Sequence, residues 1–90
     1  MSHICVRATV SGRVQGVGFR FHTAHEGLRL SLTGFAKNES DGTVTVLMCG
    51  EENNVNALLS WLEKGPPTAN VTNLVHHLED WKAIDGFSIQ

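Results

Sequence analysis

His3-Ile4-Cys5-Val6-Arg7-Ala8-Thr9-Val10-Ser11, followed by Gly12-Arg13-Val14-Gln15-Gly16-Val17-Gly18-Phe19-Arg20, reads as a strand that runs through a glycine loop into a helix. Ile4, Val6, Ala8 and Val10 face one way, and Cys5, Arg7, Thr9 and Ser11 face the other. This period of two is that of a half-buried strand. Gly12, Gly16 and Gly18 then end the alternation. Glycine takes positive φ and lets a backbone come close to a ligand. A loop that enters a helix also aims several unpaired N–H groups at one spot. Such a concavity suits a phosphate or another small oxyanion. Arg20, at the helix start, is placed to add a forked, charge-assisted contact. No Gly-Lys-Ser/Thr follows, so this is not a Walker A loop, and the glycine spacing is not that of the dinucleotide fingerprint. The plainer alternative is a strand-to-helix turn with no ligand; the flanking Arg13 and Arg20 favour the anion cradle.

Working outward, Phe21 to Leu30 reads as a helix with Phe21, Ala24, Leu28 and His25 on its inner side, weakened by Gly27. Leu32 to Asn38 is a second strand. Ser40-Asp41-Gly42 is a hairpin turn, with Asp-Gly supplying the positive φ. Thr43 to Cys49 is a third strand with Val44, Val46 and Met48 inward and Thr45, Leu47 and Cys49 outward. Glu51-Glu52-Asn53-Asn54 opens a second helix, its acids suited to the positive end of the dipole. Val55, Leu58, Leu59 and Leu62 form its apolar face, and Gly65-Pro66-Pro67 ends it. Val71 to Leu78 is a fourth strand whose pattern selects neither face, and Phe87 with Ile89 marks a short last strand. The order β-α-β-β-α-β is that of an α+β, ferredoxin-like split β-α-β sandwich. It predicts an antiparallel sheet of four to five strands with two helices on one face.

Ninety residues make one domain, 1–90, able to bury somewhat over ~60% of its unfolded surface. The 41% hydrophobic and 18% charged fractions are those of a soluble globular chain. No stretch approaches the ~18 apolar residues that span a bilayer. No signal peptide precedes the first strand, so a cytoplasmic location and no membrane partner are expected. A formal charge of −2 argues against broad nucleic-acid binding. Cys5 and Cys49 fit no zinc motif. In a reducing cytoplasm their ordinary state is two free thiols. Yet the first and third strands are neighbours in this architecture, and pairing Cys5 opposite Cys49 keeps both inward sets on one face. A disulfide is therefore geometrically open; it would close a loop of about 45 residues and contribute ~4 kcal/mol.

The glycine loop, Arg20 and Thr33-Gly34-Phe35-Ala36-Lys37-Asn38 occur here in the order seen in the acylphosphatases. The chain resembles that family nearly end to end, including Asp41-Gly42-Thr43-Val44 and Trp61-Leu62. Gly12-x-Val14-Gln15-Gly16-Val17-x-Phe19-Arg20 matches the family's signature, which is highly specific. The resemblance implies a small ferredoxin-like enzyme, with no metal or cofactor, that hydrolyses acyl phosphates to carboxylate and phosphate. It maps the phosphate-binding loop to the backbone of Arg13, Val14, Gln15, Gly16, Val17, Gly18 and Phe19, and the catalytic pair to Arg20 and Asn38. It also implies inorganic phosphate or sulfate as a product-like ligand; nothing in the sequence demands more than a monomer. Glu39 stands where some relatives carry a hydroxyl residue, and an acid there would repel a dianion unless it points to solvent. The alternative function is a non-catalytic phosphate- or carbamoyl-phosphate-binding module, like the acylphosphatase-like module of hydrogenase maturation factors.

Other candidates are weaker. His22 and His25 lie at i, i+3, but two histidines without a carboxylate or thiolate make a poor metal site. His76 and His77 are neighbours on a strand and point to opposite faces. Cys49 has no activator for nucleophilic work. An RNA-binding use of the fold requires aromatics on the open faces of the first and third strands, where Arg7, Thr9, Thr45 and Leu47 stand instead.

Overall fold

The computed structural model describes residues 2–90. Its elements in chain order are β1 (His3–Arg13), α1 (Phe19–Arg29), β2 (Thr33–Asn38), β3 (Val44–Glu51), α2 (Glu52–Leu62), β4 (Asn70–Glu79) and β5 (Phe87–Ile89). They form one sheet in the order β4-β1-β3-β2-β5. The first four strands pair antiparallel, as the ferredoxin-like pattern predicts. The fifth differs: β5 runs parallel to β2, so the sheet is mixed. Parallel neighbours need a long return path, and α2 and β4 supply it by carrying the chain across the sheet before β5.

The helix-facing side of the sheet is the main core. Val6, Ala8 and Val10 of β1 meet Val44, Val46 and Met48 of β3 beneath Val55, Leu58 and Leu62 of α2. Residues at the predicted i, i+3 and i+7 positions of α2 are all buried there. The α2 N-terminus is capped by the Glu51 carboxylate, which accepts from the Asn53 N–H at 3.4 Å. Register settles the face of β4: Leu74 pairs with Val10 and Val71 with Gly12, which puts both against the core, with a bulge at Ser11/Gly12.

Two expectations change. The first helix starts earlier, at Phe19, and its inner face is Phe19, Thr23, Ala24 and Gly27. Phe21 and Leu28 are 66% and 57% exposed, and His25 is exposed as well. The face is chosen by what lies opposite: Phe19 tilts against Trp61 of α2, while Phe87 of β5 packs over Gly27. A Cβ on Gly27 would stand 2.5 Å from Cε2 of Phe87, so close approach explains this helical glycine. Second, the outward residues of β3 are not in solvent. Leu47 and Cys49 are fully buried with Cys5, covered by Phe35 and Ile84. A central strand has neighbours on both edges, and the segment after β4 crosses back over its open face. Cys5 and Cys49 are direct partners across β1 and β3 and are joined as a disulfide.

Candidate active site

The anion loop lies between the end of β1 and the start of α1. Arg13 still belongs to β1, where it is exposed and pairs with Asn70. Val14 is buried, and its N–H donates to Gly12 O at 3.1 Å. The Val14 N–H is therefore not free for an anion, which narrows the expected cradle near its start. From Gln15 to Phe21 the picture reverses. Among the described residues, no protein acceptor meets these N–H groups, and the first helical bond is His22 N–H to Gly18 O at 3.0 Å. Gly16 and Gly18 have φ of 75° and 78°, a conformation costly for residues with a Cβ. Left-handed residues alternating with others are the backbone pattern from which anion-binding nests are built. Open space lies within 4 Å of the Gly16 Cβ position. The loop is anchored by buried Phe19 and Val14 and by Thr68, whose hydroxyl donates to Val17 O at 2.7 Å.

Arg20 and Asn38 come together through the end of β5. Arg20 Nη1 donates to Gln90 O at 2.7 Å, and the Asn38 N–H donates to the same oxygen at 3.2 Å. Gln90 N–H in turn donates to Ala36 O at 2.8 Å. One main-chain oxygen therefore links the guanidinium of α1 to the last residue of β2. Asn38 Oδ1 is buried and has no hydrogen-bond partner. A buried amide oxygen left unmet costs free energy, so its retention points to a ligand or water at that spot.

Glu39 is turned away from this role. Its carboxylate accepts from the Thr45 hydroxyl at 2.7 Å, on the open side of the sheet. No neighbouring carboxylate therefore needs to face the dianion. Sequence reasoning missed two participants. Gln15 entered only as a backbone donor, whereas its side chain reaches the β2–β3 connection. Gln90 drew no attention at all, because an unremarkable final residue carries no pattern.

The remaining candidates lie elsewhere. His22 and His25 are exposed on α1, and no group of His, Cys, Asp and Glu suited to a metal occurs among the described residues. A cavity of about 420 Å³ opens beside Trp81, His3, Glu51 and Asp85. It is lined by no lysine or arginine and by no residue of the Gly12–Phe19 loop, so its chemistry is wrong for an anion. On the open face, Arg7 lies over Phe35 at 5.7 Å and pairs with Glu79 at 3.3 Å. No helix is long and apolar enough to cross a membrane.

The acylphosphatase family model matches residues 6–89. An acylphosphatase of Photobacterium profundum is 60% identical over the whole of both chains. The structure of an acylphosphatase from Coxiella burnetii superposes with a TM-score of 0.94 at 38% identity, covering 98% of this chain and 93% of that one. Full-length HypF in its phosphate- and nucleotide-bound form shares the fold, with a TM-score of 0.91 at 23% identity over 12% of its chain. By family match, by identity over its full length and by backbone geometry, this chain belongs to the acylphosphatase family, the enzymes that hydrolyse acyl phosphates.

Proposed function

We propose that the chain hydrolyses acyl phosphates with the phosphate held by the N–H groups of the Gln15–Phe19 loop and by Arg20, and with the attacking water held by Asn38. The observation that carries this reading is a pair of unmet hydrogen-bonding needs in segments that the Gln15 side chain joins. A run of backbone donors has no acceptor, and the buried Asn38 Oδ1 has no donor. A phosphate satisfies the first, and a water satisfies the second.

An acyl phosphate releases a carboxylate, which leaves without a proton, so no strong general acid is required. The remaining work is positioning and charge stabilisation. The loop amides and Arg20 bind the non-bridging oxygens and stabilise charge as the P–O bond to the acyl group breaks. Asn38 Oδ1 accepts one hydrogen of the water and turns a lone pair toward phosphorus, in line with the leaving carboxylate. An amide is no base at neutral pH, so the water's proton passes to a phosphate oxygen of the substrate.

The test is turnover of a simple aromatic acyl phosphate, with EDTA present, for the natural chain and Asn38→Ala. The expected loss is about 10²–10³ in kcat, the scale for one positioning group, with an unchanged inhibition constant for inorganic phosphate. Near-normal turnover in the variant removes Asn38 from the mechanism. A folded natural chain that binds phosphate but does not turn over supports the binding-module alternative.

A further inference from the structure

We infer that the Gln15 side chain is the positioning residue that sets the water-holding Asn38 in register with the anion loop; this rests on the site assignment proposed above. Gln15 Nε2 donates to Glu39 O at 2.8 Å and to Thr43 O at 2.9 Å. Both hydrogens of the amide are thereby used. Glu39 follows Asn38 directly, and Thr43 closes the same turn by accepting from the Glu39 N–H at 2.9 Å. The side chain therefore grips both ends of the connection that leaves Asn38.

Among the described residues, these two bonds are the only hydrogen bonds between the anion loop and the β2–β3 connection. The sheet cannot substitute for them. The anion loop leaves β1, Asn38 ends β2, and β3 lies between these strands. Small changes in sheet twist shift one relative to the other. In-line attack tolerates little such drift: a misplacement of ~1 Å costs on the order of 10²-fold in rate. A half-buried amide that cross-links the two removes this freedom where it matters. Gln15 touches neither water nor phosphate through its side chain; it acts through Asn38.

The test is Gln15→Met, which keeps length and bulk and removes the donors, made in the natural chain and in Asn38→Ala. In the natural chain, kcat is expected to fall about 10- to 100-fold, with less than about a twofold change in phosphate inhibition, since the backbone donors remain. In Asn38→Ala the same substitution is expected to change kcat less than about twofold, because the group being positioned is already gone. Any loss of stability, read from thermal melts, should be the same in both backgrounds, which separates a scaffolding effect from positioning. An undiminished kcat in Gln15→Met overturns the inference, and so does an equal fold-loss in both backgrounds. If Gln15→Met does not fold, Gln15→Asn retains the donors one methylene short. It should lose kcat but not phosphate affinity, and full activity there also overturns the inference. A natural chain without turnover would count against the site assignment instead, before either variant is compared.

Discussion

Reducing the Cys5–Cys49 bridge should cost this protein much of its stability and almost none of its catalytic rate. The bridge joins residues 44 apart in sequence. Closing a loop of that size in the unfolded chain removes entropy worth about 4 kcal/mol at 25 °C. A chain of 90 residues unfolds with an entropy of roughly 190 cal/mol/K, so the melting temperature should fall by about 20 °C. The native side changes little, because both sulfurs are already buried among Leu47, Phe35 and Ile84, and a thiol packs there as a small apolar group. The proposed site lies at the other end of β1, some eight residues or about 26 Å of strand away from Cys5. The assay is a thermal and urea melt of oxidised and fully reduced protein, followed by kcat at 25 °C on the same samples. The urea m-value should rise on reduction, since the freed unfolded chain exposes more surface. An unchanged melting temperature would refute the loop-entropy argument. A matching fall in kcat at 25 °C would refute the separation of bridge and site.

Three further outcomes follow from the same geometry. Arg20→Gln should weaken phosphate inhibition about 10- to 100-fold, the scale of a charge-assisted hydrogen bond, and lower turnover with it; a natural inhibition constant in that variant would remove Arg20 from the cradle. Gly27→Ala should lower stability by about 1–2 kcal/mol despite alanine's better helix propensity, because the added Cβ meets Phe87 at 2.5 Å; a stabilised variant would show that the ring is free to yield. In acid, stability should decline. The Thr43 hydroxyl and N–H hold the Asp41 carboxyl below the ordinary range, and Arg7 does the same for Glu79 against the opposing effect of desolvation. For a depressed carboxyl, the stabilising contribution is present above its unfolded pKa and is lost as pH falls through the folded one. The urea midpoint should therefore hold from neutrality to about pH 5 and fall below it, and a midpoint that rises in acid would contradict the pairing.

The order of elements was legible in residues alone, because each rests on a local signal. Alternation over His3 to Ser11, Asp41-Gly42 at the hairpin, the α2 stripe and Gly65-Pro66-Pro67 depend on nearest neighbours along the chain. The family could also be recognised from Gly12 to Arg20 and Asn38, since a backbone nest and its charged neighbours must be contiguous in sequence. What is packed against what was a tertiary decision. The inner face of α1 follows from Phe87 and Trp61, which lie far along the chain, so its own residues suggested Phe21 and Leu28 and the fold chose Phe19 and Gly27. The burial of Leu47 and Cys49 depends on a return segment without periodicity. The orientation of Glu39, the grip of Gln15 and the Gln90 main-chain oxygen shared by Arg20 and Asn38 are contacts across 6 to 70 residues. Sequence by itself determined which strands, helices and anion loop this chain can form. The alternation of β1 and β3 also placed Cys5 opposite Cys49, but only the folded structure decided which helix face is buried and which loops touch, because those contacts join residues that meet after the chain has closed on itself.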